Sequence, residues 1–386
     1  MRAALTSLAL FCKVVDNFGD IGICWRLARQ LQQEHGIEVT LWVDDLLSFQ
    51  RLCPEVRPEL AVQHINGIRI QHWRDQLGVF TPEQIADIVI EFFACDIPPG
   101  YINAMAQCAV TPVWFNLEGL SAEAWVEGCH ALSSPHGSLP LTKYFFFPGF
   151  NANTGGLLLE ADLVSRRQQF QQQPGEREQF LARLGVTPAE MAALTVSLFC
   201  YPHAPVAELL SAWEQQEQAL TCLVPEGVAS DSVSAFLGQS ARAGCSATRG
   251  ALTLRVIPFL PQQDYDRLLW SCDCNFVRGE DSFVRAQWAG RAFIWHIYPQ
   301  DENLHHVKLK AFLRCHSAQT DSLTALSLGW NQVSPVKLSQ VWSEFQAELP
   351  KIALLSADWQ RQMQLHGDLA SNLLKFAQTV RKSAAI

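Results

Sequence analysis

The hydrophobic positions of this chain fall into short runs divided by polar turns, and between the runs they recur at helical spacing. Residues 8–15 read as a buried strand that leaves through the turn Asp16-Asn17-Phe18-Gly19-Asp20. Residues 21–35 then carry Cys24, Leu27 and Leu31 at i, i+3 and i+7, which predicts a helix with one apolar face. A second strand, 39–43, ends on Asp44-Asp45. Strand, turn, helix, strand is the opening of a doubly wound α/β domain. Strands at 85–93 and 111–117 continue it, and the aromatic-rich run 144–149 closes on Pro148-Gly149. The glutamine-rich stretch 166–175 and the charged stretch 176–190 predict a linker across 161–190. A second α/β set begins at 194–201, where strands 219–224, 252–257 and 292–296 alternate with helices 207–216, 265–271 and 304–313. Trp359, Met363, Leu369, Leu373, Phe376 and Val380 make a stripe that predicts one long helix over 357–382. The expected fold class is α/β, with one domain over 1–160 and another over 191–356.

Composition narrows the function. The 386 residues suit two domains, and an apolar share of 48% with 17% charged marks a globular chain. A net charge of −9 argues against nucleic-acid binding through a basic surface. The twelve cysteines include no C-x-x-C pair, so buried thiols in a reducing cytoplasm are expected, and no zinc site. Lys13 interrupts the apolar N-terminal run and no small-residue cleavage site follows, so that run is read as a strand and not as a signal peptide. No apolar run reaches 18 residues, and no membrane span is expected. The first strand is not followed by G-x-G-x-x-G, which argues against a nicotinamide or flavin dinucleotide. His305 and His306 are adjacent and cannot share a helix face, so they do not predict a metal site.

The stretch 275–290 carries the strongest chemical signal. A strand leads into the elbow Arg278-Gly279-Glu280-Asp281-Ser282, and Phe283, Ala286, Gln287 and Gly290 then follow at helical spacing. The unpaired N–H groups of a helix start, with the helix dipole behind them, favour an anion. Asp281 or Ser282 serves equally well as a helix cap. Glu280 beside Asp281 is harder to explain structurally, since adjacent acids repel unless a cation or ligand is near. Tyr201 and Phe259 offer aromatic faces for a base, and Gln262, or Gln263 beside it, an amide for the base edge. Core packing is the plain alternative for both rings. Asp16 and Asp20 are candidates for a general base, or else a turn residue and a helix cap.

Several of these motifs together resemble one family. They are Asp16-Asn17-Phe18-Gly19-Asp20-Ile21-Gly22, the run 144–149 through Thr154-Gly155-Gly156-Leu157, Phe259-Leu260-Pro261-Gln262, Arg278-Gly279-Glu280-Asp281-Ser282, and Pro299-Gln300 through His305. The family is EarP, the protein-arginine rhamnosyltransferases of elongation factor P, and the resemblance spans nearly the whole chain. It implies a GT-B fold of two Rossmann-like domains facing across a cleft, with residues 357–386 returning to the N-terminal domain. It implies transfer of rhamnose from dTDP-β-L-rhamnose to an arginine of elongation factor P with inversion, which activates that factor for ribosomes stalled at polyproline. No metal and no cofactor are implied. By matching motif, Asp20 takes the base position with Asp16 beside it, and Glu280 a catalytically required one. Asn17, Phe18 and Gly19 line the rhamnose end, Tyr201, Phe259 and Gln262 hold thymidine, and Arg278, Gly279, Asp281 and Ser282 hold the diphosphate and sugar. The alternatives are a GT-B transferase with another sugar or protein acceptor, and a non-catalytic nucleotide-sugar sensor that binds a translation protein.

Overall fold

The computed structural model describes residues 5–16, 18–74, 78–317 and 320–383. Asn17, one of the expected site residues, lies outside the described residues. The chain divides into two compact units, Met1–Ala161 with Met363–Ile386, and Asp162–Gln362.

The first unit is built on eight strands: β1 Ser7–Cys12, β2 Glu38–Val43, β3 Val62–Ile65, β4 Ile68–His72, β5 Ile88–Phe92, β6 Val113–Leu117, β7 Ser133–Pro135 and β8 Thr142–Phe146. Their order is β3-β4-β2-β1-β5-β6-β8-β7. The edge pairs β3–β4 and β7–β8 are antiparallel and the rest parallel. Strand β1 is central, and its side chains alternate between two cores as a period of two requires. Leu8, Leu10 and Cys12 pack with Ile21, Cys24, Leu27 and Leu31 of the helix Gly19–His35. Ala9 and Phe11 pack on the other face with Trp73, Val89, Tyr101 and Trp114.

The second unit carries β9 Leu194–Leu198, β10 Leu220–Pro225, β11 Ser246–Arg249, β12 Leu252–Ile257, β13 Cys274–Arg278 and β14 Ala292–His296. The order is β11-β12-β10-β9-β13-β14, with only β11–β12 antiparallel. Leaving aside the antiparallel edges, both sheets run outward in two directions from their first strand, the doubly wound Rossmann arrangement. The expected fold class therefore holds. Helices Gln262–Ser271 and Asp281–Ala289 follow the two loops expected to hold a nucleotide. A fully buried ion pair clamps them together: Arg285 Nε and Nη2 donate to Asp266 Oδ1 and Oδ2 at 3.0 and 2.7 Å. The two-point geometry supplies the directional bonds that a desolvated guanidinium needs.

Two expectations change. Residues 161–190 are mostly helical, over Leu163–Gln172, Glu176–Arg183 and Pro188–Ala192, within the second unit. Glutamine-rich composition suggested a linker, but Leu163, Phe170, Phe180 and Leu181 are buried. Arg177 Nε also donates to the Ser271 carbonyl at 2.8 Å. The single helix over 357–382 is two helices, Leu338–Gln364 and Leu369–Ser383. Gly367 adopts φ 75°, a left-handed backbone that ends a helix, and Asp368 Oδ1 then accepts the Ser371 N–H at 2.9 Å to start the next. The stripe is apolar as expected, yet it serves two cores. Leu369 and Leu373 belong to the first unit, whereas Trp359 donates to Gln287 in the second. No helix among the described residues is long and apolar enough to cross a membrane.

Candidate active site

In a doubly wound sheet the strand order reverses at a switch point, where the loops leaving adjacent strands part and leave room for a ligand. In the first unit that point lies between β1 and β5. The turn after β1 carries Asp16, Phe18, Gly19 and Asp20. Helix Gly19–His35 begins with Phe18 at its N-cap position, which supplies no side-chain cap. Asp20 is thus one residue inside the helix and is not its cap. Its carboxylate folds back: Oδ2 accepts the N–H groups of Val15 and Asp16 at 2.7 and 2.8 Å. Asp20 is only 4% exposed. Burial pushes its carboxyl pKa up, the two N–H bonds draw it down, and the nearby Asp44 carboxylate adds to the rise. A buried carboxylate with a raised pKa is suited to accept a proton. The Asp16 carboxylate lies over Gly19, where a Cβ would come within 2.8 Å of its Oδ2, so the turn has the tight form that glycine permits. Phe18 sits under the Arg51 guanidinium, 5.9 Å from ring centroid to Cζ.

Asp44 belongs to this site although no motif marks it. It closes β2 and accepts the Val14 N–H at 2.8 Å, which ties the turn after β1 to the neighbouring strand. The available signal was an acid pair directly after the second strand. Its partner Asp45 caps the helix Leu46–Leu52 through the N–H groups of Leu47 and Ser48, both at 3.0 Å.

In the second unit the switch point lies between β9 and β13. Tyr201 follows β9 and the elbow follows β13, so the structure brings these two together. Arg278 Nη1 donates to the Cys200 carbonyl at 3.1 Å, and its guanidinium covers the rings of Phe199 and Tyr201 at 4.5 and 4.8 Å. Gly279 has φ 60°, the left-handed turn that glycine allows without a Cβ clash. Glu280 occupies the N-cap position of helix Asp281–Ala289 without a side-chain cap bond. Ser282 is buried; its hydroxyl accepts the Arg278 N–H at 3.0 Å and donates to the Arg278 carbonyl. That hydroxyl closes the elbow. Gln262, 4% exposed, donates Nε2 to Asp281 Oδ2 at 3.4 Å, so the loop after β12 meets the elbow. Phe259 is half-buried in that same loop.

The family model for Elongation-Factor P (EF-P) rhamnosyltransferase EarP matches residues 8–378. The chain belongs to the EarP family. A protein-arginine rhamnosyltransferase of Pseudomonas putida is 46% identical over 373 residues, 95% of this chain and 97% of the relative. One of Pseudomonas aeruginosa is 43% identical over 378 residues, 96% and 99% of the two chains. A solved structure concerning EarP-mediated arginine glycosylation of translation elongation factor EF-P superposes with a TM-score of 0.67 at 33% identity, over 97% of this chain and 99% of the other. A glycosyltransferase from Rickettsia africae shares the fold at 9% identity, with a TM-score of 0.53 over 98% of each chain. This EarP member is therefore an enzyme, a protein-arginine rhamnosyltransferase, and its two Rossmann-like units are those of the GT-B class.

Proposed function

We propose that this chain moves rhamnose from dTDP-β-L-rhamnose to an arginine of elongation factor P, with inversion at the anomeric carbon and in the cytoplasm. The observation that carries the reading is that the motif residues converge on the switch point of each sheet, carboxylates in the first unit and Tyr201 with Arg278 in the second. Arginine is a poor nucleophile because its guanidinium is protonated and delocalised. Asp20, held through Oδ2, offers its other oxygen to orient one guanidinium nitrogen and take its proton as the C–N bond forms. Asp16 holds the cation beside it. A single displacement at the anomeric carbon breaks the sugar–phosphate bond and inverts the centre, which needs one base and no covalent sugar intermediate. Phe259 and Tyr201 supply faces for thymine and Gln262 an amide for its edge. Arg278 and the start of helix Asp281–Ala289 take up the charge of the departing diphosphate. Glu280 places negative charge near the positive centre that develops on the sugar. Ser282 contributes by shaping the turn.

Mass spectrometry of elongation factor P after incubation with this protein and dTDP-β-L-rhamnose tests the reading directly. One deoxyhexose should appear on one arginine. Donor turnover with an unmodified elongation factor P would move the acceptor elsewhere. Because Arg278 and a helix start already supply positive charge, turnover should also survive exhaustive chelation. Loss that Mg²⁺ or Mn²⁺ restores would show that the diphosphate needs a metal.

A further inference from the structure

His296 ends β14 and is 1% exposed, and neither its position in the sequence nor the proposed chemistry gives it a task. Its ring reaches across the end of β13 to the loop that follows β9, where Nδ1 accepts the Tyr201 N–H at 3.2 Å. The same ring lies 4.7 Å from that of His203 and 5.3 Å from that of Tyr201. Its backbone carbonyl accepts the Gly279 N–H at 3.2 Å, and the neighbouring Trp295 donates Nε1 to the Gly279 carbonyl at 2.7 Å. Asn331 braces the strand end from the far side, accepting from Ile297 N at 3.0 Å and donating to the Trp295 carbonyl at 2.7 Å. One residue therefore ties both loops of the second switch point. The loop it holds is the one whose Cys200 carbonyl orients Arg278.

We infer that His296 is a positioning residue for the donor diphosphate, acting through Tyr201 and Cys200 on the guanidinium of Arg278. This rests on the reading that Arg278 binds the diphosphate. The geometry demands a ring with a lone pair at Nδ1 and the proton on Nε2. Burial keeps the ring in that neutral form by lowering its pKa to about 3. Without the acceptor, the buried Tyr201 N–H has to find another partner, and the loop shifts to provide one. Arg278 follows, since its anchor is a carbonyl of the same loop.

The geometry of the replacement separates positioning from bulk packing. In asparagine the amide oxygen sits two bonds beyond Cβ, as Nδ1 does in histidine, whereas in glutamine it sits one methylene farther out. Calorimetric titration of the full chain with dTDP should give His296→Asn within about threefold of the parent and His296→Gln weakened about tenfold, the scale of one ordinary hydrogen bond. Thymidine, which has no phosphate and meets only the Tyr201 side of the loop, should lose less affinity than dTDP in His296→Gln. With Arg278→Ala as background, His296→Gln should add no more than the loss it causes with thymidine, because the diphosphate part of its effect acts in series with Arg278. Equal dTDP affinity for the asparagine and glutamine variants, with thermal midpoints lowered in both, would reduce His296 to packing and overturn the inference. A full additive loss on the Arg278→Ala background would overturn it too. Arg278→Ala that binds dTDP as the parent does would instead remove the donor-site reading on which the inference stands.

Discussion

Asp20→Asn is expected to lower turnover on elongation factor P by about a hundredfold or more, the scale of losing a general base. Folding and dTDP affinity should stay near the parent values. The structure sharpens this contrast. The structural task of Asp20 is to accept two N–H bonds through one oxygen. The asparagine Oδ1 accepts the same two bonds, so the turn after β1 survives the change. What is lost is the capacity to take a proton. The raised carboxyl pKa adds a second signature: the acid limb of the rate profile should lie above the range of an unperturbed aspartate. Rapid-quench measurement of one turnover with saturating donor checks both. Near-parent turnover in Asp20→Asn would return the residue to a turn-shaping role and move the base to Asp16 or Glu280.

The second large effect is on stability in acid. His296 has a folded pKa near 3 because of burial, against 6.5 for an unperturbed ring. Below 6.5 the unfolded chain binds a proton that the folded ring refuses, so stability is complete above that pH and falls as pH drops toward 3. One such ring costs about 1.4 kcal/mol per pH unit in this window, on the order of 4 kcal/mol by its lower end. Protonating Nδ1 would also set two donors, the ring and the Tyr201 N–H, against each other. His316 acts in the same direction. It is half-buried as a residue, but its ring lies against Phe293, Phe312 and Trp359, and its Nε2 is shut from solvent with no hydrogen-bond partner among the described residues. Burial lowers its pKa to about 3 as well. The raised Asp20 carboxyl opposes them, since it binds a proton more readily when folded, whereas His130, His203, His305 and His306, also lowered by burial, add to the fall. Urea unfolding at steps from pH 7 to 4.5 should show the loss, and His296→Asn should remove one ring's share. A flat profile over that interval would contradict the assignment.

The alternation of strand and helix was legible because both sheets are parallel apart from their edge pairs, and buried. Strand β1 and the face of helix Gly19–His35 are nearly continuous in apolar residues. The short edge strands β3, β7 and β11, and β4 beside β3, escape a reading of the sequence, since their partly exposed residues carry little pattern. The helices in 161–190 were hidden by polar composition, because composition averages over position and the few buried side chains decide the structure. At the site, turn chemistry showed where loops would form but not how carboxylates would point. Asp20 has the residue type of a cap, but in the fold it bonds backward to Val15 and Asp16. Ser282 carries a phosphate-contact expectation, and the structure adds that its hydroxyl closes the elbow. Asp44 and His296 carried no motif of their own. Their importance comes from strand neighbours far away in sequence, such as His296 against Arg278 in the register of β13 and β14.

The helix Leu369–Ser383 completes the core that β1 begins. Leu369, Leu373 and Ala377 pack with Leu10, Cys24 and Leu27, Gln30 reaches Asp368 at 3.1 Å, and Arg381 donates to the Asp87 carbonyl at 3.1 Å. On the ribosome the order of completion is therefore the reverse of the order of synthesis. The second unit, whose residues are contiguous, has its whole core available before the first unit can close. The unit bearing Asp20 waits with an open apolar seam until the last helix clears the exit tunnel, and it then pays the closure entropy of a loop of about 200 residues, the second unit Asp162–Gln362. That cost grows only with the logarithm of loop length, so the delay is set by translation rather than by chain search.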